Sequence, residues 1–249
     1  MAGKIAIDVK EVTVRYNMQL EKKSSMKEYF IKLLKKQLMF QEFIALEDVS
    51  FQVKRGESWG VIGKNGAGKS TLLKLICRIL TPYKGTVRIN GEIAPMIELG
   101  AGFDGSLTMR ENIFLNGAIL GQSRKDVEEK FDEIVEFSEL GGFINMPLKN
   151  FSSGMRARLG FAVATCIDPD ILVVDEVLAV GDKDFKKKSR ERMEELISGG
   201  TTLLLVSHSI ADVKELCDHA LWLDHGKVVM QGDAITVCDA YDPESTKES

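Results

Sequence analysis

The sequence predicts an α/β fold with a largely parallel sheet covered by helices. Short apolar segments of strand length alternate with stretches of helical periodicity over most of the 249 residues. Residues 171–174 form a continuous aliphatic run, which is typical of a strand buried on both faces of a parallel sheet. Alternation of this kind favours β-α-β units. A mostly helical stretch over about residues 98–167 interrupts it and is predicted to be an inserted helical subdomain.

The individual elements are recognised by their periodicity and by the residues that start or end them. Thr108 with Glu111, and Ser153, are predicted to cap the N-termini of helices. Residues 242–249 are polar and are predicted to form a frayed tail. The predicted strands cover residues 5–16, 49–53, 58–62, 85–89, 171–174, 202–206, 219–223 and 227–230. The predicted helices cover residues 69–80, 123–139, 156–167, 182–198 and 209–217.

Composition and charge limit the possible functions. A chain of this length that is 44% hydrophobic can form one sizeable core, and its net charge of −4 argues against a general nucleic-acid binder. The four cysteines are scattered without a C-x-x-C pair, which indicates reduced thiols rather than a disulfide framework or a zinc site. No signal peptide is apparent, and no apolar run reaches the roughly 18 residues of a membrane span. Any role at a membrane therefore requires a partner.

A glycine-rich loop between a strand and a helix predicts a phosphate-binding site. Residues 63–70 fit the pattern G-x-x-x-x-G-K-[ST], in which glycines let several backbone N–H groups point at one anion. Lys69 is predicted to reach the β- and γ-phosphates of a nucleotide, and Ser70 to supply a hydroxyl to Mg²⁺. The candidate nucleotide-binding residues of this loop are Gly63, Lys64, Asn65, Gly66, Ala67, Gly68, Lys69, Ser70 and Thr71.

Two carboxylates follow the buried strand at residues 171–174. Acidic residues at the carboxyl end of a parallel strand face the ligand crevice. We expect Asp175 to complete the Mg²⁺ shell, and Glu176 to orient and polarise the water that attacks the γ-phosphate. The sequence thus predicts hydrolysis of ATP with Mg²⁺ as the cofactor.

The segment Phe151-Ser152-Ser153-Gly154-Met155 resembles the signature sequence of the ATP-binding-cassette (ABC) family, and it stands shortly before the acidic strand as that family requires. Other positions of this chain resemble the remaining parts of the family pattern. Tyr16 matches the aromatic residue that stacks on adenine, Asp182 the aspartate of the D-loop, and His208 the histidine that contacts the γ-phosphate. The resemblance implies a RecA-like core with an antiparallel β subdomain and an inserted helical subdomain, within an ATPase domain over residues 1–241.

The resemblance also implies a mechanism that needs two copies of the chain. The phosphate loop of one copy and the signature helix of the other would clamp one ATP, with Ser153 and Gly154 facing its γ-phosphate. Hydrolysis would remove the bridging anion and let the copies separate. As in the family, the homodimer is expected to bind two integral membrane subunits at the cytoplasmic face of the membrane.

Four features resemble the branch of the family that exports polysaccharides, O-antigen or teichoic acids. They are an inserted segment at residues 17–43, the segment 98–103, the signature Ser-Ser-Gly-Met, and the D-loop at residues 178–182. The insert is predicted to be basic and amphipathic, which suits either a membrane surface or partner, or an ordinary surface helix. Glu98 occupies the region where most family members place a glutamine that senses Mg²⁺ and the γ-phosphate. Two alternatives remain: an ABC transporter ATPase for a lipid or drug, and a soluble ABC ATPase without a transport role.

Overall fold

The computed structural model describes residues 4–19, 40–96, 100, 102–175 and 182–242. Its nine strands are β1 Ile5–Gln19, β2 Phe40–Lys54, β3 Ser58–Ile62, β4 Lys84–Ile89, β5 Ile93–Met96, β6 Ile171–Asp175, β7 Thr202–Val206, β8 His219–Asp224 and β9 Lys227–Asp233. Its seven α-helices, again within the described ranges, are α1 Lys69–Ile76, α2 Met109–Ile119, α3 Arg124–Ser138, α4 Ser153–Cys166, α5 Lys183–Ser198, α6 Ile210–Leu216 and α7 Ala234–Tyr241.

The strands form two sheets. A three-stranded antiparallel sheet has the order β2-β1-β4, and a six-stranded sheet has the order β5-β6-β7-β3-β8-β9. In the larger sheet all neighbours are parallel except the β8–β9 pair. The predicted α/β class with an antiparallel β subdomain is therefore confirmed.

The larger sheet is buried on both faces, and its central strands β3, β6 and β7 are mostly apolar. Val173 packs on one side with α1 and the antiparallel sheet. Leu172 and Val174 pack on the other side with Phe161 of α4 and Phe185 of α5. A parallel strand covered on both faces needs such a continuous apolar run. Parallel strands have their carboxyl ends at one edge, so β3, β7 and β6 present their following loops side by side.

Three helices, α2, α3 and α4, pack around an apolar cluster of their own, whose members include Ile113, Phe131 and Leu159. The predicted cap of the first of these helices is confirmed. Thr108 Oγ1 accepts a hydrogen bond from the Glu111 backbone N–H at 3.3 Å, and the Glu111 carboxylate accepts one from the Thr108 backbone N–H at 2.8 Å. These helices follow one another between β5 and β6 in the chain.

Several predicted boundaries were wrong. The first helix ends at Ile76 rather than residue 80, because Arg78 has a left-handed φ of 59° and the chain turns there. The first strand extends to Gln19 because it pairs along its whole length with β2, which begins at Phe40. Both ends of the predicted insert at residues 17–43 therefore lie in strands, and its residues 20–39 lie outside the described part. The strand β5 and the helix α7 were not predicted from the sequence.

Candidate functional site

The loop between β3 and α1 has a shape that only glycine permits at two of its positions. Gly63 has φ 148°, and a Cβ atom there would lie 2.2 Å from the carbonyl oxygen of Leu223. Gly68 has φ 106°, and its Cβ would lie 2.8 Å from the carbonyl oxygen of Ala45. Both contacts are with backbone, which cannot move aside as a side chain does. The glycines thus allow the loop to pack directly on the strand ends behind it.

We expect Gly63→Ala to lower the free energy of unfolding by about 2–6 kcal/mol, because a positive φ costs about 1–3 kcal/mol and overpacking adds about 1–3 kcal/mol. Gly66→Ala is the matched control: Gly66 also has a positive φ, but its Cβ would point into open space. That variant should lose only about 1–2 kcal/mol. Urea unfolding of both variants measures the difference, and equal losses would contradict the proposed backbone contact.

The turn between β8 and β9 supports the phosphate loop from behind. The backbone N–H of Gly226 donates to the carbonyl oxygen of Ala67 at 2.9 Å. The carbonyl oxygen of Gly226 accepts from the backbone N–H of Glu47 at 2.9 Å. One residue therefore links the loop both to the parallel sheet and to strand β2. This double link holds the loop in position with backbone groups alone.

Lys69 lies across the loop as its first helical residue. Its side chain is buried, with the residue 6% exposed, and Nζ donates to the carbonyl oxygens of Gly63 at 2.7 Å and Lys64 at 3.2 Å. The residue before it, Gly68, provides no side-chain cap for α1. Uncapped N–H groups at a helix N-terminus and a nearby ammonium group together attract an anion. The loop is therefore suited to a phosphate chain.

A cleft of about 370 Å³ opens beside this loop. Its wall combines the polar loop, one histidine after β7 and two apolar residues of β2, which suits a ligand with an anionic end and an aromatic end. The lining residues are Phe43, Ala45, Asn65, Gly66, Gly68, Lys69, Ser70, Thr71 and His208. Seven of these were predicted from the sequence, and His208 is brought to the loop because β7 lies next to β3.

An aromatic pair stands at the apolar end of the cleft. Phe43 lines the cleft, and it is the direct cross-strand partner of Tyr16 in the antiparallel β1–β2 ladder. Directly opposed residues of an antiparallel pair project from the same face of the sheet. Tyr16 is 36% exposed and Phe43 is 47% exposed. Sequence reasoning missed Phe43, since the pairing that places it beside Tyr16 joins residues that lie 27 positions apart in the chain.

Asp175 ends β6, two strands away from the phosphate loop. It pairs in register with Val206, the last residue of β7, and Ser207 and His208 follow directly. Because β6, β7 and β3 are parallel, the carboxylate and the loop lie at the same edge of the sheet. The intervening strand β7 puts them roughly 10 Å apart, which is two strand spacings. Glu176 and Glu98 lie outside the described residues.

The predicted cap of the signature helix was wrong by one residue. Ser152, and not Ser153, is the N-cap of α4, and its Oγ accepts a hydrogen bond from the Met155 backbone N–H at 3.1 Å. Ser153 is the first helical residue, and both Ser153 and Gly154 are exposed. Neither belongs to the lining of the cleft beside the phosphate loop. Within one chain, the structure does not bring these predicted site residues to the cleft.

We expect Ser152→Ala to lower the free energy of unfolding by about 1 kcal/mol, the usual value of an N-cap. Ser153→Ala is the matched control, because its hydroxyl does not cap the helix and the residue is exposed, so its unfolding free energy should stay within about 0.5 kcal/mol of the parent value. Chemical denaturation of the two variants tests this order. A larger loss for Ser153→Ala would contradict the assigned cap.

Asp182 caps the next helix in the chain, α5. Its Oδ1 accepts a hydrogen bond from the Phe185 backbone N–H at 3.0 Å, and its Oδ2 pairs with Arg158 Nη2 at 2.5 Å. The bond from Phe185, followed by the charge of Arg158, lowers the pKa of this carboxyl below its usual value. Both oxygens of the predicted D-loop aspartate are thus engaged within the chain.

Comparison with known proteins decides the family. The family model described as ABC transporter matches residues 46–179, more than half of the chain. The chain belongs to the ABC transporter family. The resemblance inferred from the signature segment is confirmed, and so is the prediction of an ATP-binding ATPase domain.

Individual members of the family give the degree of similarity. The chain is 46% identical over 201 residues to an O-antigen export system ATP-binding protein of Klebsiella pneumoniae, covering 81% of this chain and 82% of that one. It is 40% identical over 242 residues to a teichoic acids export ATP-binding protein of Listeria monocytogenes, covering 97% and 71%.

Two solved structures show the same fold. One is an ATP-binding subunit of an ABC transporter, with a TM-score of 0.77, 25% identity and coverage of 95% of this chain and 93% of that one. The other is a dimeric ATP-binding cassette bound to ADP and Pi, with a TM-score of 0.72, 22% identity and coverage of 92% and 98%.

Proposed function

We propose that this ABC ATPase is the ATP-hydrolysing subunit of an exporter for a polysaccharide or teichoic-acid type polymer. The class of cargo is inferred from the similarity to two relatives from such export systems, one of which aligns with 97% of this chain. The observation that carries the chemistry is the cleft, in which Lys69 and the start of α1 form a phosphate site and Phe43 an apolar end.

The residues of the cleft, together with Tyr16 next to Phe43, bind different parts of the nucleotide. Tyr16 and Phe43 offer aromatic surfaces to the base, and stacking of this kind is worth about 1–3 kcal/mol per base. The loop N–H groups hold the phosphates, while Lys69 exchanges its bonds to two carbonyl oxygens for bonds to β- and γ-oxygens. His208 stands at the γ-phosphate end, since it follows β7 next to the loop.

Ser70 and Asp175 would hold Mg²⁺ together with the phosphates. Hydroxyl and carboxylate oxygens are the hard ligands that this ion prefers, and Mg²⁺ is usually bound by one or two such groups plus phosphates and water. The ion would neutralise charge that develops on the phosphates.

The site is completed by a second copy of the chain. Ser153 and Gly154 lie exposed at the N-terminus of α4, where free N–H groups and the helix dipole favour an anion. Because they do not line the cleft of their own chain, the γ-phosphate they face belongs to the partner. Glu176 polarises the attacking water, and loss of the bridging phosphate then separates the two copies.

The described part of the chain contains no helix with the length and apolar character needed to cross a bilayer. Because the relatives come from export systems, we place a homodimer of this chain against two integral membrane subunits at the cytoplasmic face of the membrane. The acidic net charge of −4 agrees with a partner other than nucleic acid.

Reconstitution with the membrane subunit tests this proposal. The chain should co-purify with that subunit, and lipid-linked saccharide should stimulate ATP turnover by the complex in proteoliposomes. If a lipid or a drug stimulated ATP turnover instead, the proposed polymer cargo would be wrong and the ATPase role would stand. Sedimentation with ribosomes and never with membranes would overturn the transport role.

A further inference from the structure

Four charged residues of three helices are joined by three ion pairs, and the backbone of one helix closes the ring between the remaining two. Arg158 of α4 pairs through Nη2 with Asp182 Oδ2 at 2.5 Å and through Nη1 with Glu139 Oε2 at 2.9 Å. Glu139 Oε1 in turn accepts from Lys188 Nζ at 3.3 Å. Lys188 and Asp182 belong to the same helix, α5, as an internal residue and its N-cap. We call these four residues the charge ring; positive and negative members alternate around it.

Three of the four members of the ring are held by further features. The Arg158 guanidinium lies over the ring of Phe185 at 4.8 Å from its centroid. Glu139 is the C-cap of α3 with a left-handed φ of 59°. Lys188 Nζ also donates to the carbonyl oxygen of Phe137 at 3.1 Å, within the last turn of α3. The ring therefore joins the end of α3, the first half of α4 and the start of α5.

Stability alone is a weak explanation for this arrangement. The side chains of Asp182 and Glu139 are 64% and 49% exposed, and exposed ion pairs typically contribute little to folding. An arginine that engages two carboxylates from two different helices restricts geometry more than it adds energy. The Arg158 side chain is only 18% exposed, so it has little freedom to leave this position.

The location of the ring links the two halves of the proposed ATP site. Arg158 follows Ser153 by five residues, one and a half turns of α4. Asp182 is the first described residue after Asp175, the acidic end of β6, because residues 176–181 lie outside the described part. The ring thus links the N-terminal part of α4 to the start of α5.

We propose that Arg158 is a positioning residue that, through Asp182 and Glu139, sets the orientation of the Ser153–Gly154 helix end toward the partner's γ-phosphate. The inference rests on the proposed two-copy ATP site. Removal of the ring leaves the chain's own phosphate loop intact and misplaces only the surface offered to the other copy. Nucleotide-dependent dimerisation is therefore affected, and nucleotide binding by a single copy is not.

The test uses the full chain with a non-hydrolysable ATP analogue, and sedimentation velocity gives the chain concentration at half-dimerisation. We expect Arg158→Gln to raise that concentration about fivefold to tenfold, in the range of measured couplings between contacting residues. Binding of ADP, which lacks the bridging γ-phosphate, should stay within about twofold as a readout of the chain's own loop. Asp182→Asn, which retains a capping side chain, should shift dimerisation in the same direction.

Controls separate positioning from a general loss of structure. Glu136→Gln removes an exposed carboxylate from the same turn of α3 outside the ring, and should match the wild type. Glu139→Gln should raise the concentration at half-dimerisation less than Arg158→Gln does. The double variant should have the same concentration at half-dimerisation as Arg158→Gln alone, because Glu139 acts through Arg158. Arg158→Lys keeps the positive charge but has a single ammonium group in place of the two guanidinium nitrogens that pair with Glu139 and Asp182. Its concentration at half-dimerisation should lie between those of the wild type and Arg158→Gln.

Two failures are distinguishable. If the wild type does not dimerise with the analogue, both the two-copy site and the positioning role of the ring are contradicted. If the wild type dimerises and Arg158→Gln does so at the same concentration, only the positioning role of the ring is contradicted. Parallel losses of ADP binding and dimerisation in Arg158→Gln and Arg158→Lys would also overturn it, since they would show a structural role.

Discussion

Lys69→Ala is expected to reduce ATP turnover by about 10²–10³, the usual cost of removing a preorganised group that stabilises charge in the transition state. The buried ammonium group is held at the loop, beside the uncapped start of α1, by two carbonyl oxygens, and it needs only to exchange these bonds for phosphate oxygens when the nucleotide arrives. Alanine leaves the backbone of the loop unchanged. The loss is therefore one of charge and hydrogen bonding.

Steady-state phosphate release and ATP titration of the purified chain measure this effect. Lys74→Ala is the matched control, because Lys74 belongs to the last turn of the same helix and lies outside the cleft. It should keep turnover within about twofold, as expected for a change away from the reacting groups. Turnover by Lys69→Ala at the level of this control would remove Lys69 from the phosphate site.

Glu176→Gln is expected to lower turnover by about 10²–10⁴, the range for removing a general base. The substitution keeps the size of the side chain and its position directly after Asp175, but an amide cannot accept the proton of the attacking water. ATP binding should persist, so the ATP-bound dimer should accumulate because the bridging phosphate is no longer cleaved.

Single-turnover hydrolysis and size-exclusion chromatography in Mg-ATP test both parts of this expectation. Glu191→Gln, an exposed change on α5 paired only with Lys187 among its described contacts, serves as the control and should turn over ATP like the wild type. Undiminished hydrolysis by Glu176→Gln would assign the base to another residue. Loss of both hydrolysis and ATP binding would make Glu176 a structural residue.

The parts of the site that follow one another in the chain could be predicted from sequence. The phosphate loop is one continuous motif between a strand and a helix, and β6 is a short aliphatic run with its carboxylate at the end, so local pattern was sufficient for both. The order of strands then brings His208 to the loop, and the family pattern anticipated that arrangement.

Contacts between distant segments could not be predicted in the same way. Ser152 and Ser153 have identical side chains, and only the backbone conformation decides that Ser152 caps α4. Phe43 enters the cleft because β2 pairs with β1 in one particular register, which no local signal fixes. The length of α1 was overestimated because Ile79 continues the apolar pattern, although it lies beyond the helix and is 62% exposed.

The two backbone bonds made by Gly226 have a consequence for the energetics of nucleotide capture. A loop that is already tied to a neighbouring turn and to β2 loses little conformational entropy when its ligand arrives, because that cost was met during folding. We therefore expect the affinity of the phosphate loop for triphosphate to depend on a hairpin more than 150 residues further along the chain, although Gly226 does not line the cleft. A change that weakens this hairpin should then weaken nucleotide binding as well.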